Sequence, residues 1–293
     1  MRALIIAAAV VLSIATPSSI VFAQSQNASI NGETIAYEIS GQGEPLVLIH
    51  GWSLNANMWQ PQMTALRQKF QVIKYDRRGF GKSSGGEDIT WDAEDLKALL
   101  DRLNIRKAHV LGMSQGGRVA LQFARRNPER VLSLMLHGSP PPDGFGVPFT
   151  GPDRPRFEEW TVLAKEQGLD AFRKSWAAHP LTEVPAGNAD ARRRVDALLA
   201  EYHGTRFLKP VQPSGPVPAI TMDDLSRINV PTLVLIGDRE VPYLQIVARA
   251  LAYTIPNARL TIVPGGGHMI NVIEPARYNA AVLDFLTTYN SSR

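Results

Sequence analysis

Cysteine is absent from all 293 residues. Disulfides and lipid attachment through a cysteine are therefore excluded, and the fold must be held by its apolar core alone. Histidine is sparse, with six in the chain. HEXXH does not occur, and no two histidines share a helix face at zinc-binding spacing, so a metal-dependent hydrolase centre is not expected. The glycine run Gly265-Gly266-Gly267 is followed by His268 and not by the Lys-Ser/Thr of a phosphate loop. A strong charge of either sign is missing too: the formal net charge is +4 and the basic residues are interspersed with acids. Arg192-Arg193-Arg194 sits between Asp190 and Asp196 as a solvated helix face, and no stripe suited to nucleic acid or a membrane surface is present. There is no internal repeat and no low-complexity tract. With 44% hydrophobic and 20% charged residues, the composition is that of a folded globular protein.

The longest unbroken apolar run is at the start. Arg2 precedes Ala3 to Leu12, and small residues end in Val21-Phe22-Ala23. This pattern reads as a secretory signal peptide over 1–23, cleaved after Ala23, because the run is short for a membrane span. The expectation is a bacterial periplasmic or secreted protein without a stable membrane anchor.

Beyond the leader, strand and helix patterns alternate. Apolar strands are predicted at 34–39, 45–50, 71–75, 131–138 and 231–238, with a further one beginning at Arg259. Helical spacing marks 57–69, 91–103, 243–254 and about 274–289. Such alternation predicts an α/β fold, with a mostly parallel central sheet covered by helices on both faces. The rhythm breaks at Ser139, where a proline- and glycine-rich linker leads into helical stretches at 156–178 and 188–206 with no strand between them. An inserted helical lid over 139–220 follows, with the α/β core supplied by 24–138 and 221–293.

The strand at 107–113 runs into Gly112-Met113-Ser114-Gln115-Gly116. G-x-S-x-G is the nucleophile-elbow pattern, in which a tight strand-to-helix turn holds a serine hydroxyl above the sheet edge. A serine hydroxyl is a poor nucleophile at neutral pH, so it needs a histidine base and a carboxylate to orient that base. His268 follows the strand RLTIV, and Asp238 follows the strand LVLIG directly. Both sit at carboxyl strand ends, the edge where ligand sites of open α/β sheets form. Glu240 and Asp223 are rival acids that lie less close to the strand end. Among other histidines, His109 falls within the elbow strand, His137 ends a strand where it could face the site, and His179 and His203 fall in the lid.

Five elements, His50-Gly51-Trp52, the DRRGFGKS loop at 76–83, the serine elbow, Gly237-Asp238 and Gly265 to His268, resemble in order and spacing the α/β hydrolase fold family. That resemblance spans essentially the whole chain after the leader. It implies the triad Ser114, Asp238 and His268, with an oxyanion hole from the N–H groups of Gln115 and Trp52, Ser53 being the alternative to Trp52. Relatives that form an alkyl-enzyme ester carry an aspartate where this chain has Ser114. HGWSLNANMW and GMSQGG are similar to the enol-lactonase and small arylesterase branch, which implies a compact acyl pocket. Met113, Trp160, Phe172, Trp176 and Met269 are its candidate lining. The lid holds ten basic and ten acidic residues, so its charge gives no support for a dicarboxylic substrate. The expected activity is carboxylic ester or lactone hydrolysis without a cofactor, on a small-molecule substrate. The alternatives are cofactor-free haloperoxidase or perhydrolase chemistry, carbon–carbon bond hydrolysis, and a non-catalytic ligand-binding protein.

Overall fold

A computed structural model describes residues 25–146, 149, 151–216 and 219–291. The predicted leader at 1–23 lies outside the described residues. The sheet has eight strands: β1 (Gln26–Ile30), β2 (Glu33–Ser40), β3 (Glu44–Ile49), β4 (Phe70–Tyr75), β5 (Ala108–Met113), β6 (Val131–His137), β7 (Thr232–Gly237) and β8 (Ala258–Val263). Their spatial order is β1-β2-β4-β3-β5-β6-β7-β8. Pairs involving β2 are antiparallel and the rest are parallel. The central strands β5, β6 and β7 are buried along their whole length, as expected of strands covered on both faces. Strand β1, which has few large apolar residues, is the one strand that apolar patterning passes over.

Helices α1 (Gln60–Leu66), α2 (Asp92–Arg102) and α3 (Gln115–Arg126) follow β3, β4 and β5 respectively. The predicted helix over 57–69 is split, since a 3₁₀ turn at Ala56–Trp59 precedes α1 and Pro61 sits in the first turn of α1, where its missing N–H costs nothing. Between β6 and β7 come α4 (Phe157–Gln167), α5 (Leu169–Ala177), α6 (Ala189–Ala200), α7 (Thr205–Leu208) and α8 (Met222–Ser226). Helix α9 (Pro242–Thr254) joins β7 to β8, and α10 (Ile270–Ile273) and α11 (Pro275–Ser291) close the chain. None of the described helices is long and apolar enough to cross a membrane.

The two chain segments that lead into and out of the inserted helices meet at Asp143. Its N–H donates to the Ile220 carbonyl (2.6 Å), its carboxylate accepts the Ile220 N–H (2.7 Å), and Arg118 of α3 donates to the same carboxylate oxygen (2.8 Å). The insertion is thereby tied at its base to the helix that follows the serine elbow.

Candidate active site

Ser114 ends β5 and starts α3 with φ 52° and ψ −122°. A non-glycine residue there is strained by about 1–3 kcal/mol, which the surrounding structure must hold in place. Its N–H donates to the His137 carbonyl (2.7 Å) and its carbonyl accepts from Gly117 (2.8 Å), so the elbow is fixed from both sides. The flanking glycines are required by close backbone approach. A Cβ at Gly112 would lie 2.1 Å from the Gly116 carbonyl oxygen, and one at Gly116 would lie 2.4 Å from the Ile49 carbonyl oxygen. Gln115 is the first residue of α3, where N–H groups lack intrahelical acceptors and face any anion at the helix N-terminus.

His268, which is buried, places Nδ1 2.8 Å from Oε2 of Glu240, whose side chain is fully enclosed. The second oxygen of Glu240 accepts the Val241 N–H (3.0 Å), and Gln245 donates to the Glu240 carbonyl (2.8 Å). This carboxylate therefore points in one direction only, and with Nδ1 donating to it the Nε2 lone pair of His268 is left for a proton. Asp238 does not serve as the partner predicted for His268. It is exposed, and its carboxylate accepts the Gly265 N–H (2.9 Å), which braces the turn carrying His268. The cause is a bend just after β7: Glu240 N–H returns to the Gly237 carbonyl (3.3 Å) and Arg239 N–H reaches the Gly266 carbonyl (3.1 Å). Two residues past the strand, the chain has turned inward, and the longer glutamate side chain covers the remaining distance.

Ser114, His268, Trp52 and Gln115 all line one largely apolar chamber of about 270 Å³. Met113, Trp176 and Met269 line it as predicted. Trp160 and Phe172 do not, because both are buried in an aromatic cluster inside the inserted helices, packed against the Trp52 indole. Arg118, Phe149, Phe157, Leu181 and Leu244 are lining residues that sequence reasoning missed. They come from α3, α4, α9 and linkers, and no local motif marks them. His137 is buried beneath the site and absent from the chamber wall. His109 is buried within the sheet beside Ser133 (2.7 Å).

A second network sits behind the oxyanion segments. The Arg77 guanidinium, buried, pairs with Asp92 (2.7 Å), donates to the Gln115 side-chain oxygen (2.6 Å) and lies 4.5 Å over the Phe80 ring. The main-chain N–H of Arg77 donates to Nε2 of His50 (2.9 Å), so Nδ1 of His50 carries the proton and donates to the Gly51 carbonyl (2.8 Å). Burial and the Arg77 charge hold the His50 pKa well below its ordinary value, which keeps this ring neutral.

The chain matches the α/β hydrolase fold family over residues 44–275. It belongs to that family. Among curated relatives, the non-heme chloroperoxidase CPO-A1 of Kitasatospora aureofaciens is 30% identical over 274 residues, covering 87% of this chain and 97% of the relative. Among solved structures, a bromoperoxidase of Bacillus anthracis is 28% identical with a TM-score of 0.75, covering 90% of this chain and all (100%) of that one. Est816, an N-acyl homoserine lactone degrading enzyme, is 26% identical with a TM-score of 0.72, covering 89% of this chain and 100% of its own.

One acid-stability prediction follows from His137. Burial, then the neighbouring His268, lowers its pKa from 6.5 to about 3, and its Nε2 has no hydrogen-bond partner among the described residues. The unfolded chain takes up this proton near pH 6.5 and the folded one does not until about 3, so stability falls as pH drops between those values. The slope from this one residue is about 1.4 kcal/mol per pH unit well below the unfolded pKa. His137→Asn should flatten the pH dependence of urea unfolding between pH 6 and 4 by about that amount, and parallel curves for both proteins would refute it.

Proposed function

We propose that this protein is a serine hydrolase that cleaves a carboxylic ester or lactone through an acyl-enzyme on Ser114. The observation that carries the reading is the 2.8 Å contact between His268 Nδ1 and the enclosed Glu240 carboxylate, in the chamber that Ser114 enters from a strained elbow. Ser114 Oγ attacks the carbonyl carbon while His268 Nε2 takes the hydroxyl proton, and Glu240 fixes the ring and stabilises the imidazolium. The N–H groups of Gln115 and Trp52 receive the developing oxyanion, a contribution worth about 100- to 1,000-fold in rate for each donor. His268 then returns the proton to the leaving oxygen, and water, deprotonated by the same ring, releases the acid. The apolar chamber suits a compact acyl group, with Met113, Trp176 and Met269 against it.

Ser114→Ala should remove p-nitrophenyl acetate turnover, lowering kcat/KM by about 10⁴-fold. Glu240→Gln should lower it by about 10²- to 10⁴-fold because the histidine loses its orienting charge, whereas Asp238→Asn should stay within about 3-fold, since its carboxylate faces the turn and not the ring. A full-rate Ser114→Ala enzyme would refute the mechanism, and an Asp238 effect larger than the Glu240 effect would reverse the acid assignment.

A second reading is favoured by the relative named as a non-heme chloroperoxidase. The same acyl-enzyme attacked by hydrogen peroxide in place of water releases a peracid, which oxidises a halide in solution. In acetate buffer with peroxide and bromide, Ser114-dependent bromination of an electron-rich indicator supports this reading, and its absence beside active ester hydrolysis restricts the enzyme to water.

We also propose export to the periplasm or beyond, on the strength of the charged, apolar and small-residue succession in 1–23. Expression of the full chain in a bacterial host should yield a periplasmic protein whose N-terminus, by mass spectrometry, is Gln24. An intact Met1 in the cytoplasmic fraction would refute it.

A further inference from the structure

Glu87, in the loop between β4 and α2, collects four donors from two parts of the molecule. Its Oε2 accepts the indole N–H of Trp52 (3.0 Å). Its Oε1 accepts from the Tyr202 hydroxyl (2.6 Å), the Arg206 N–H (3.1 Å) and the Thr205 hydroxyl (2.9 Å), whose single proton is shared with the Gly79 carbonyl (2.9 Å). An ionised carboxylate accepts about four hydrogen bonds and donates none, so this set of donors fills it. Burial and the Glu87 charge together raise the Tyr202 pKa, which keeps that hydroxyl a donor. Tyr202, Thr205 and Arg206 belong to the inserted helices, and Trp52 belongs to the turn after β3.

The Trp52 indole is also enclosed by six rings, and all of them come from the insertion. Phe157 lies at 4.9 Å, Trp176 at 5.4 Å, Tyr202 at 5.6 Å, and Trp160, Phe172 and Phe207 at 6.1 Å between centroids. One residue on, Ser53 has φ 60° and its hydroxyl accepts the Trp176 indole N–H (2.8 Å). The main-chain N–H of Trp52 therefore belongs to a residue whose side chain is held by the inserted helices and whose neighbour is tethered to them. The hydrogen bond from the edge of the indole to the Glu87 carboxylate adds a directional restraint that the apolar ring contacts do not supply.

We propose that Glu87 is a positioning residue that couples the inserted helices to the Trp52 half of the oxyanion hole. The assignment rests on the hydrolase reading given above. An error of about 1 Å in the donor position is enough to cost about 100-fold in rate, so a group that touches neither substrate nor triad can govern the chemical step. The loss should appear in the transition state and not in the Michaelis complex, because an oxyanion exists only in the former.

The test compares wild type, Glu87→Ala, Glu87→Gln, Trp52→Phe and the Glu87→Ala/Trp52→Phe double variant. The readouts are kcat and KM for p-nitrophenyl acetate and the inhibition constant of a benzeneboronic acid, which forms a tetrahedral adduct on the serine. Glu87→Ala should lower kcat about 10- to 100-fold with KM changed less than about 3-fold, and boronate affinity should weaken by the same factor as kcat. Trp52→Phe, which keeps a ring and loses the indole N–H, should behave alike, and the double variant should lose no more than the worse single one. Glu87→Gln, which keeps acceptor oxygens in part, should fall between. If Glu87→Ala does not fold by near-ultraviolet circular dichroism, Glu87→Gln and Trp52→Phe carry the comparison. An unchanged kcat, a lowered kcat with unchanged boronate affinity, or additive losses would overturn the assignment. A wild type with neither ester turnover nor fluorophosphonate labelling at Ser114 would bring down the hydrolase reading and this inference together, whereas an active wild type with indifferent Glu87 variants removes this inference alone.

Discussion

The buried Arg77 guanidinium is the contact on which the loops at the sheet edge depend. A cation taken out of water is tolerated only where a counter-charge lies beside it, and removal of one partner from such a pair costs about 3–5 kcal/mol. Asp92 matches the charge at 2.7 Å, and the Gln115 side chain and the Phe80 ring occupy other sides of the guanidinium. Through its N–H and His50, the same residue reaches the Gly51 carbonyl. One residue, by its guanidinium toward Asp92 and Gln115 and by its main-chain N–H toward His50, thus ties the loops after β3, β4 and β5 together. Two of them carry the N–H groups that an oxyanion would need, and the third carries the loop in which Glu87 sits. The arrangement explains why His50 must be neutral: a second charge beside Arg77 in an enclosed space would break the network it bridges.

Beyond this base the site is built in two layers that meet at Trp52. The core layer holds Ser114 in a strained conformation, with His268 and Glu240 in the turns beyond neighbouring strand ends. The inserted helices supply Trp176 and Phe157 to the chamber wall and enclose the indole of Trp52 from behind. On the proposed acyl-enzyme reading, a chamber whose roof and Trp52 turn share one aromatic cluster ties the shape of the acyl pocket to the quality of the transition-state site. This offers a physical reason why members of one fold with the same serine elbow can differ in what they accept.

Much of the architecture was legible because local periodicity and burial coincide in a parallel sheet. The buried strands β3 to β7 are largely apolar runs, and α2 and α3 between them follow a 3.6-residue pattern. Strand β1 escaped because an antiparallel edge strand with one buried face carries a weak signal over five residues. Ser114 and His268 were also readable, since a glycine-flanked serine and a histidine behind a glycine run each follow an apolar strand directly, and the glycines mark the tight turn that exposes the side chain at the sheet edge. The acid was not. Asp238 and Glu240 stand two residues apart, and proximity to the strand end favoured the former. A turn that folds back on Gly237 and Gly266 sends Asp238 to solvent and Glu240 to the ring. Trp160 and Phe172 were misplaced for a related reason: an aromatic residue in a helix has a burial preference but no address, and these two bury themselves against Trp52 instead of facing the substrate.

The α/β class, the serine elbow and the histidine could be read from the chain alone, because each depends on residues close together and on steric rules that act locally. The carboxylate that meets His268, the chamber lining and the junction at Glu87 came into being only with the folded arrangement. Each joins residues from segments distant in the chain, and a carboxylate acquires a role from which donors surround it, a property that packing creates and that no short stretch of sequence contains.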